Sequence, residues 1–314
     1  MKKALYAFAT LLLLATATAY ALLSSSVEKP VLFGEINEVH TEFEDRPRTY
    51  LLYTPTKVSS PETLVFVLHG SIGTGENIRK RTQYGFDLLA DQHGFRVVYP
   101  DGFDKHWNDC RLSADYAAKQ LDINDVGFLK RIASDLAVQE QPPKNIFVAG
   151  FSNGGHLAFK LAQEHPDWVS AIAAISANVP SADNNGCTHQ ASTVPALIMN
   201  GTDDPINPYQ GGTVSLFGLG DRGQALSTRE SLSYLANQNN KLDSLPSGSS
   251  QTIGDVLIER WNINNQLFQS VTVHHGGHTI PGTHGTMPRL LGPTNHDIEA
   301  SAVIWEFFNR SRKG

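Results

Sequence analysis

The segment Gly150-Phe151-Ser152-Asn153-Gly154 has the G-x-S-x-G spacing of a nucleophile elbow, in which a serine stands at a sharp turn between a strand and a helix. Residues 145–149 are mostly apolar and favour a strand, and residues 155–165 carry apolar side chains at helical spacing. The spacing alone is a weak signal because glycine and serine are common in loops, and an incidental turn is the alternative. The strand before the motif and the helix after it favour a nucleophilic Ser152.

A nucleophilic serine needs a general base and a carboxylate that orients the base. In a sheet where a serine stands at such a strand-to-helix turn, the acid and then the histidine follow the serine in the chain, each on a loop after a strand. The predicted strand 196–199 is followed by a turn with two carboxylates, Asp203 and Asp204. We predict Asp204, directly before Pro205, as the acid. Asp203 is its competitor, and a solvated turn carboxylate is the alternative for either.

The expected base is His278. Two glycines separate it from His275, the residue that follows the predicted strand 271–274. Those glycines allow the imidazole to reach back over the edge of the sheet. His274 and His275 adjoin the strand, where one points to each face. His156 lies inside the helix after the elbow and is predicted to be structural.

An oxyanion intermediate needs N–H donors beside the nucleophile. We expect the amide of Asn153, directly after the serine, and the amide of Ser71, in the glycine-rich turn after the predicted strand 64–68. His69 begins that turn, and we expect it to support the loop rather than to act as a base.

Buried apolar strands alternate with helical segments from residue 64 onward. This alternation predicts an α/β fold with a mostly parallel central sheet and helices on both faces. Residues 43–53 are predicted as an antiparallel edge strand, and residues 216–250 as an excursion above the sheet. The predicted strands are 64–68, 96–99, 145–149, 171–175, 196–199 and 271–274, and the predicted helices are 78–93, 125–137 capped by Asp125, 155–165 and 297–309.

The composition is that of an ordinary globular protein, with 40% hydrophobic and 18% charged residues. The net charge of −6 gives no reason to expect nucleic acid or an anionic membrane as a partner. No spacing of cysteines and histidines indicates a metal site, and no cofactor is expected. We predict one catalytic domain over residues 28–314, without a separate substrate-binding domain.

The first residues resemble a signal peptide over residues 1–21. Lys2 and Lys3 precede an uncharged, mostly apolar run, and Ala19-Tyr20-Ala21 supplies a cleavage site. An uncleaved membrane anchor is the alternative, because the run approaches the roughly 20 residues that span a bilayer. Cleavage is favoured by the small residues at its end, which predicts a secreted or periplasmic protein without stable membrane association.

The two cysteines, Cys110 and Cys187, are an even number in a chain predicted to be exported, which favours a disulfide. Two separate buried thiols are the alternative.

Several segments of the chain resemble the secreted poly(3-hydroxybutyrate) depolymerase-like esterases, a family that also holds feruloyl and acetylxylan esterases. The resemblance spans nearly the whole predicted mature chain in family order. The segments that carry it are LHGSIGTGENI (68–78), GFRVVYPDGFDKHWNDCR (94–111), DVGFLKRI (125–132), VAGFSNGGHLAF (148–159), NGTDDPINPYQGG (200–212), GGHTIPG (276–282) and DIEASAVIWEFF (297–308).

The resemblance implies the α/β-hydrolase fold and a triad of Ser152, Asp204 and His278. Many members have glycine at position 110, so the cysteine here fits a bridge from Cys110 that pins its loop near the site. Trp107 in that loop is then a candidate substrate contact, with buried packing as the alternative.

The expected function is an exported serine esterase that acts through an acyl-enzyme. Its expected substrates are hydroxyalkanoate oligomers or polymer, feruloyl or acetyl esters of plant polysaccharide, or simpler short-chain esters. The alternatives are a serine peptidase or amidase, and a non-catalytic exported binding protein on a hydrolase scaffold.

Overall fold

A computed structural model describes residues 22–312 together with residues 16 and 18, apart from 59–62, 140–141, 189, 191–192 and 238–247. The predicted signal segment therefore lies almost wholly outside the described residues. In the part of the chain that is described, no helix is both long enough and apolar enough to cross a membrane.

The strands pair into one large sheet and two small ones. They are β1 (Ser26–Val27), β2 (Glu35–Phe43), β3 (Arg46–Thr54), β4 (Thr63–Leu68), β5 (Arg96–Pro100), β6 (Asn145–Phe151), β7 (Ala171–Ile175), β8 (Ala196–Gly201), β9 (Gly212–Thr213), β10 (Gln224–Ala225), β11 (Ser249–Ile253), β12 (Val256–Ile263), β13 (Gln266–Val273) and β14 (Gly285–Thr286). The large sheet has ten strands in the order β11-β12-β13-β8-β7-β6-β4-β5-β3-β2. The small sheets pair β1 with β14 and β9 with β10.

The six central strands of the large sheet, from β5 to β13, run parallel to one another, and antiparallel strands extend it at both edges. Strands β4, β6, β7 and β8 are short, mostly apolar runs whose residues are all buried, as expected for strands covered on both faces. The predicted, mostly parallel central sheet is confirmed.

The helices cover both faces of the large sheet. They are α1 (Gly75–Arg81), α2 (Gly85–His93), α3 (Ala117–Gln120), α4 (Asp125–Gln139), α5 (Asn153–Glu164), α6 (Thr228–Leu235) and α7 (Ala300–Arg310). Alternate residues of β4 divide the core: Leu64, Phe66 and Leu68 share a cluster with α4, α5 and α6. Val65 and Val67 share the other cluster with α1, α2 and α7. Helices on both faces are therefore confirmed.

The single helix predicted over residues 78–93 is wrong, because two helices, α1 and α2, occupy this stretch. Gln83 and Tyr84 between them have φ of +55° and +56°, a left-handed conformation that ends a right-handed helix. Thr82 closes α1 by donating its hydroxyl to the carbonyl of Ile78 at 2.9 Å. Gly94 ends α2 with φ of +72°, where the sequence predicted the end.

Two further expectations near the N-terminal edge need correction. Residues 43–53 are not one edge strand, since Glu44 and Asp45 form a turn with φ of +50° and +56° between β2 and β3. The cap of α4 is Asn124, whose side chain accepts the Gly127 amide at 2.8 Å, and not Asp125. Asp125 instead binds Arg48 in a buried ion pair at 2.7 Å.

The C-terminal part of the sheet is larger than predicted. The strand expected at 271–274 begins at Gln266 and pairs with β12, and β12 pairs in turn with β11. Neither β11 nor β12 was predicted. The final helix begins at Ala300 rather than residue 297. Within the predicted excursion 216–250, the structure has β10 and α6, while residues 238–247 lie outside the described part.

Candidate active site

Ser152 stands at a strained turn between β6 and α5. Its φ of 52° and ψ of −116° lie outside the regions that non-glycine residues usually adopt. Its own amide donates to the Ile175 carbonyl at 2.8 Å, which fixes the turn to the neighbouring strand. The flanking glycines are required: a Cβ on Gly150 would lie 2.2 Å from the Gly154 oxygen, and one on Gly154 would lie 2.5 Å from the Leu68 oxygen. This is the geometry of a nucleophile elbow.

Asp204 and His278 meet at the carboxyl ends of β8 and β13. His278 Nδ1 lies 2.8 Å from Asp204 Oδ2, and the side chains are 5% and 0% exposed. The other carboxylate oxygen, Oδ1, accepts the amides of Ile206 and Asn207, each at 2.8 Å. With Nδ1–H donated to the carboxylate, Nε2 of His278 remains available as a base. Asp203, the competing acid, lies 3.7 Å from His275, and both of those side chains are exposed.

Ser152 and His278 line one cavity of about 140 Å³ above the carboxyl ends of the strands. Phe151, whose ring centroid lies 5.1 Å from that of His278, forms part of the wall. The cavity therefore brings together the predicted nucleophile and the predicted base, and Asp204 lies directly behind the base.

Ser71 also lines this cavity, in the turn that follows β4. The next amide, that of Ile72, donates to the Lys105 carbonyl at 2.9 Å and is not free to bind a substrate. In the part of the chain that the structure describes, the Ser71 amide has no protein acceptor. The Asn153 amide stands at the first position of α5, where helix N–H groups are free to bind a ligand.

Buried side chains hold the elbow from below. The Asn153 side chain accepts the Trp107 amide at 2.8 Å and donates to Asp109 Oδ2 at 2.7 Å. Asp109 also forms a buried ion pair with Arg111 at 2.6 Å. The charge and hydrogen bonds of Arg111 outweigh burial and lower the pKa of the Asp109 carboxyl to about 2. Asp109 is therefore ionised in this network.

Trp107 packs beneath the site and does not line the cavity. Its side chain is 0% exposed, its indole N–H donates to the His69 carbonyl at 2.8 Å, and its ring lies 4.8 Å from the imidazole of His69. Of the two alternatives for Trp107, the structure favours packing, because the residue is fully buried and is not among those that line the cavity.

His69 and His156 are buried histidines of the site region. His69 Nδ1–H donates to Gly70 at 2.7 Å and Nε2 accepts the Gly102 amide at 2.9 Å, so the ring ties two loops together. Burial lowers the pKa of His69 to about 4. The pKa of His156 is also lowered well below its ordinary value. Burial is the larger cause, and repulsion by the Arg111 cation is the second. Both rings are neutral near pH 7, in keeping with structural roles.

Cys110 and Cys187 form a disulfide, as expected. The bridge joins the loop that carries Asp109 and Arg111 to the segment around Asn184 and Asn185. The Gly186 amide also donates to the Cys110 carbonyl at 2.8 Å.

Sequence reasoning missed Asp109, Arg111, Arg222 and Asn184, which support or line the site. The adjacent cysteine was the available signal for the first two, since Asp109 and Arg111 flank Cys110. Nothing in the local sequence marks Arg222, which the hairpin of β9 and β10 carries into the cavity wall. Among the described residues, no group of three or more His, Cys, Asp or Glu side chains is arranged to hold a metal ion.

Known proteins resemble this chain in sequence and in fold. A Nocardia uniformis protein named as an esterase, NocK, is 27% identical over 287 residues, which cover 83% of this chain and 79% of that protein. Feruloyl esterase C of Emericella nidulans is 25% identical over 191 residues. That match covers 59% of this chain and 63% of the esterase, slightly less than two thirds of its length.

Solved structures share the architecture at lower identity. An acetyl xylan esterase from Aspergillus awamori superimposes with a TM-score of 0.55 at 14% identity, covering 88% of this chain and 100% of that one. An S-formylglutathione hydrolase from Agrobacterium tumefaciens has a TM-score of 0.54 at 14% identity, covering 91% and 98%. These likenesses and the sheet order confirm the α/β-hydrolase fold. Residues 49–213, more than half of the sequence, match the dienelactone hydrolase family, and the chain belongs to that family.

Proposed function

We propose that this protein is an exported serine esterase, formed as a single catalytic domain over residues 28–314, that hydrolyses carboxylic esters through an acyl-enzyme. One observation carries the proposal: His278, bound to Asp204 at 2.8 Å, lines the same cavity as Ser152 at its strained turn. This is the combination that nucleophilic acyl transfer requires. The named esterases among the relatives give it further support.

In the first half-reaction, Nε2 of His278 takes the proton of the Ser152 hydroxyl as Oγ attacks the ester carbonyl. Asp204 holds the ring by its Nδ1–H and stabilises the imidazolium that forms. The carbonyl oxygen gains negative charge and is bound by the amides of Ser71 and Asn153. The imidazolium then gives its proton to the leaving alcohol, which leaves Ser152 acylated.

In the second half-reaction, water replaces the alcohol. His278 takes a proton from the water, whose oxygen attacks the acyl carbon, and the same two amides bind the second oxyanion. Collapse returns the proton to Ser152 and releases the acid. Apart from the ester and one water molecule, the groups that act in this cycle are side chains and amides of the chain itself.

The cavity favours small acyl groups. Its volume of about 140 Å³ is below the roughly 300–1,000 Å³ of pockets that enclose drug-sized ligands. An acetyl or hydroxybutyryl group fits such a space more readily than a feruloyl group. We therefore place acetyl esters and hydroxyalkanoate oligomers ahead of feruloyl esters as substrates.

Export is supported by two observations. The N-terminal sequence has the layout of a signal peptide, and the disulfide between Cys110 and Cys187 is of a kind that persists in oxidising compartments. Fractionation of cells that express the full chain, with N-terminal sequencing of the product, tests this inference. Recovery of the unprocessed chain in the cytosol contradicts it.

The function is tested by kinetics on p-nitrophenyl acetate, butyrate and octanoate, together with methyl ferulate, acetylated xylan and hydroxybutyrate oligomers. We expect turnover of the short esters, a steep fall at octanoate, and loss of all turnover in Ser152→Ala. Ser250→Ala, on the exposed strand β11, is the matched control. Equal activity in Ser152→Ala and the wild type rejects the proposal, and hydrolysis of amides in preference to esters replaces it with an amidase.

A further inference from the structure

The hairpin over residues 212–225 brings an arginine to the wall of the cavity. Its base is the pairing of β9 with β10. Above that base, the Val214 amide donates to the Gly223 carbonyl at 3.0 Å, and the Arg222 amide donates to the Val214 carbonyl at 2.9 Å. Arg222 therefore projects from a hydrogen-bonded ribbon, and its side chain lines the same cavity as Ser152.

The guanidinium of Arg222 is held by neutral groups. Its Nη1 donates to Ser71 Oγ at 3.1 Å, and its central carbon lies 5.0 Å from the ring centroid of Tyr116. Within the described residues, no carboxylate forms an ion pair with Arg222. A cation that is placed by a hydroxyl and an aromatic face has a defined position, and no neighbouring carboxylate offsets its charge.

A buried asparagine fixes the backbone from which Arg222 projects. Asn184 is 2% exposed, and its Nδ2 donates to the carbonyls of Arg222 and Gln224 at 3.0 and 3.1 Å. Its Oδ1 accepts the Ser113 amide at 3.0 Å. Gly223 is necessary for this contact, since a Cβ there would lie 2.3 Å from Asn184 Nδ2.

The turn after β4, which carries the Ser71 amide, is held by two hydrogen bonds to other segments. The Ile72 amide is bound to the Lys105 carbonyl at 2.9 Å on one side. The Ser71 hydroxyl is bound to Arg222 on the other. The Ser71 amide therefore belongs to the residue that carries one anchor and that directly precedes the other. Donors that stabilise an oxyanion are effective when their position is fixed before the charge develops.

We propose that Arg222 is a positioning residue, which acts through the Ser71 hydroxyl to hold the Ser71 amide in place for the oxyanion. The proposal rests on the proposed esterase function. Losing the anchor displaces the donor without removing it, and a displacement of about 1 Å in such a site costs up to about 100-fold in rate. The expected loss is in kcat, because the oxyanion forms only after the ester has bound.

The proposal is tested by a double-mutant cycle on p-nitrophenyl acetate with Arg222→Gln, Ser71→Ala and the two combined. Ser71→Ala keeps the amide and removes only the acceptor. We expect each single variant to lower kcat about tenfold with KM within about twofold, and the double variant to fall no further than the singles. Arg222→Lys, which keeps a donor, should recover part of the loss.

Titration with a p-nitrophenyl phosphonate counts the reactive Ser152 in each preparation, so that misfolded protein does not contribute to kcat. Arg131→Gln, on the exposed face of α4, is the matched control and should behave as the wild type. Losses that multiply in the double variant overturn the proposal in favour of direct stabilisation by the cation. A raised KM with unchanged kcat overturns it in favour of substrate binding. Normal kinetics in Arg222→Gln reject the positioning role but not the proposed esterase function. An inactive wild type rejects both proposals.

Discussion

Asp109 Oδ2 accepts a hydrogen bond from Asn153 Nδ2 at 2.7 Å, which links a buried, ionised carboxylate to the residue directly after the proposed nucleophile. The same asparagine binds both backbone groups of Trp107, accepting its amide at 2.8 Å and donating to its carbonyl at 3.1 Å. The elbow therefore rests on the loop that precedes the disulfide, and so does the position of the Asn153 amide, which we propose as an oxyanion donor.

Replacement of Asn153 by alanine keeps its backbone amide and removes this support. We expect kcat to fall about tenfold or more because the amide is displaced. The free energy of unfolding should fall by about 1–3 kcal/mol, since the Trp107 amide and Asp109 lose their buried partner. Ester kinetics and urea denaturation measure the two effects, with Asn37→Ala on the exposed edge strand β2 as control. Unchanged kcat in Asn153→Ala contradicts the coupling.

The two carboxylates of the turn after β8 lie in different environments, since the Asp204 side chain is buried and the Asp203 side chain is exposed. Asp204→Asn leaves a neutral partner for His278 and should lower kcat by about 10⁴-fold, as expected when the imidazole loses its orienting carboxylate. Asp203→Asn changes an exposed side chain and should leave kcat within about twofold. Both variants are isosteric, so the pair isolates the charge. A larger loss in Asp203→Asn than in Asp204→Asn would reverse the assignment.

The parts of the fold that the sequence predicted are those encoded locally. Strands such as 145–149 and 171–175 are apolar runs whose burial on both faces follows from their composition alone. The elbow is marked by two glycines that the backbone needs at close approaches. The positions proposed for the triad, Ser152, Asp204 and His278, follow from strand ends and chain order, and the sequence pattern therefore nominates them without coordinates.

The remaining features depend on contacts between distant segments. The break at Gln83 and Tyr84 falls on residues that are neither glycine nor proline, and Gly85 directly after them is a single glycine of the kind that a helical pattern tolerates. Trp107 is an aromatic residue in a loop near the site, and only the packing against His69 shows that it is buried. Arg222 reaches Ser71 across 151 residues of sequence, and the hairpin that carries it reads only as a glycine-rich loop.

The disulfide should contribute to stability through the segment that it closes. Cys110 and Cys187 are separated by 77 residues, and a loop of this length corresponds to about 4.5 kcal/mol in the chain-entropy account. The double variant Cys110→Ala/Cys187→Ala should unfold at a correspondingly lower urea concentration. Dithiothreitol should lower the midpoint of the wild type and leave that of the variant unchanged. If dithiothreitol leaves the urea midpoint of the wild type unchanged, the bridge contributes little to stability.

His69 gives the stability of the protein a pH dependence of defined sign. Burial lowers the pKa of His69 to about 4 in the folded protein, against 6.5 for an ordinary histidine. Between these values the unfolded chain binds the proton and the folded chain does not, so the contribution of His69 to stability is lost as pH falls from 6.5 to 4. The difference corresponds to about 3 kcal/mol. His156 acts in the same direction, and Asp109, with a pKa of about 2, titrates below this range. Asp87 acts in the opposite direction, because burial raises the pKa of its carboxyl to about 6.

His69→Gln removes the titrating ring and keeps an amide oxygen that can accept the Gly102 N–H. We therefore expect the urea midpoint of the wild type to decrease more steeply between pH 7 and pH 4.5 than that of His69→Gln, whatever the stability of the variant at pH 7. His40→Gln, on the exposed edge strand, should keep the wild-type slope because that ring is 72% exposed. Parallel slopes in the wild type and His69→Gln would mean that the His69 imidazole is not held neutral by burial, because a ring that binds its proton equally in both states adds no pH dependence.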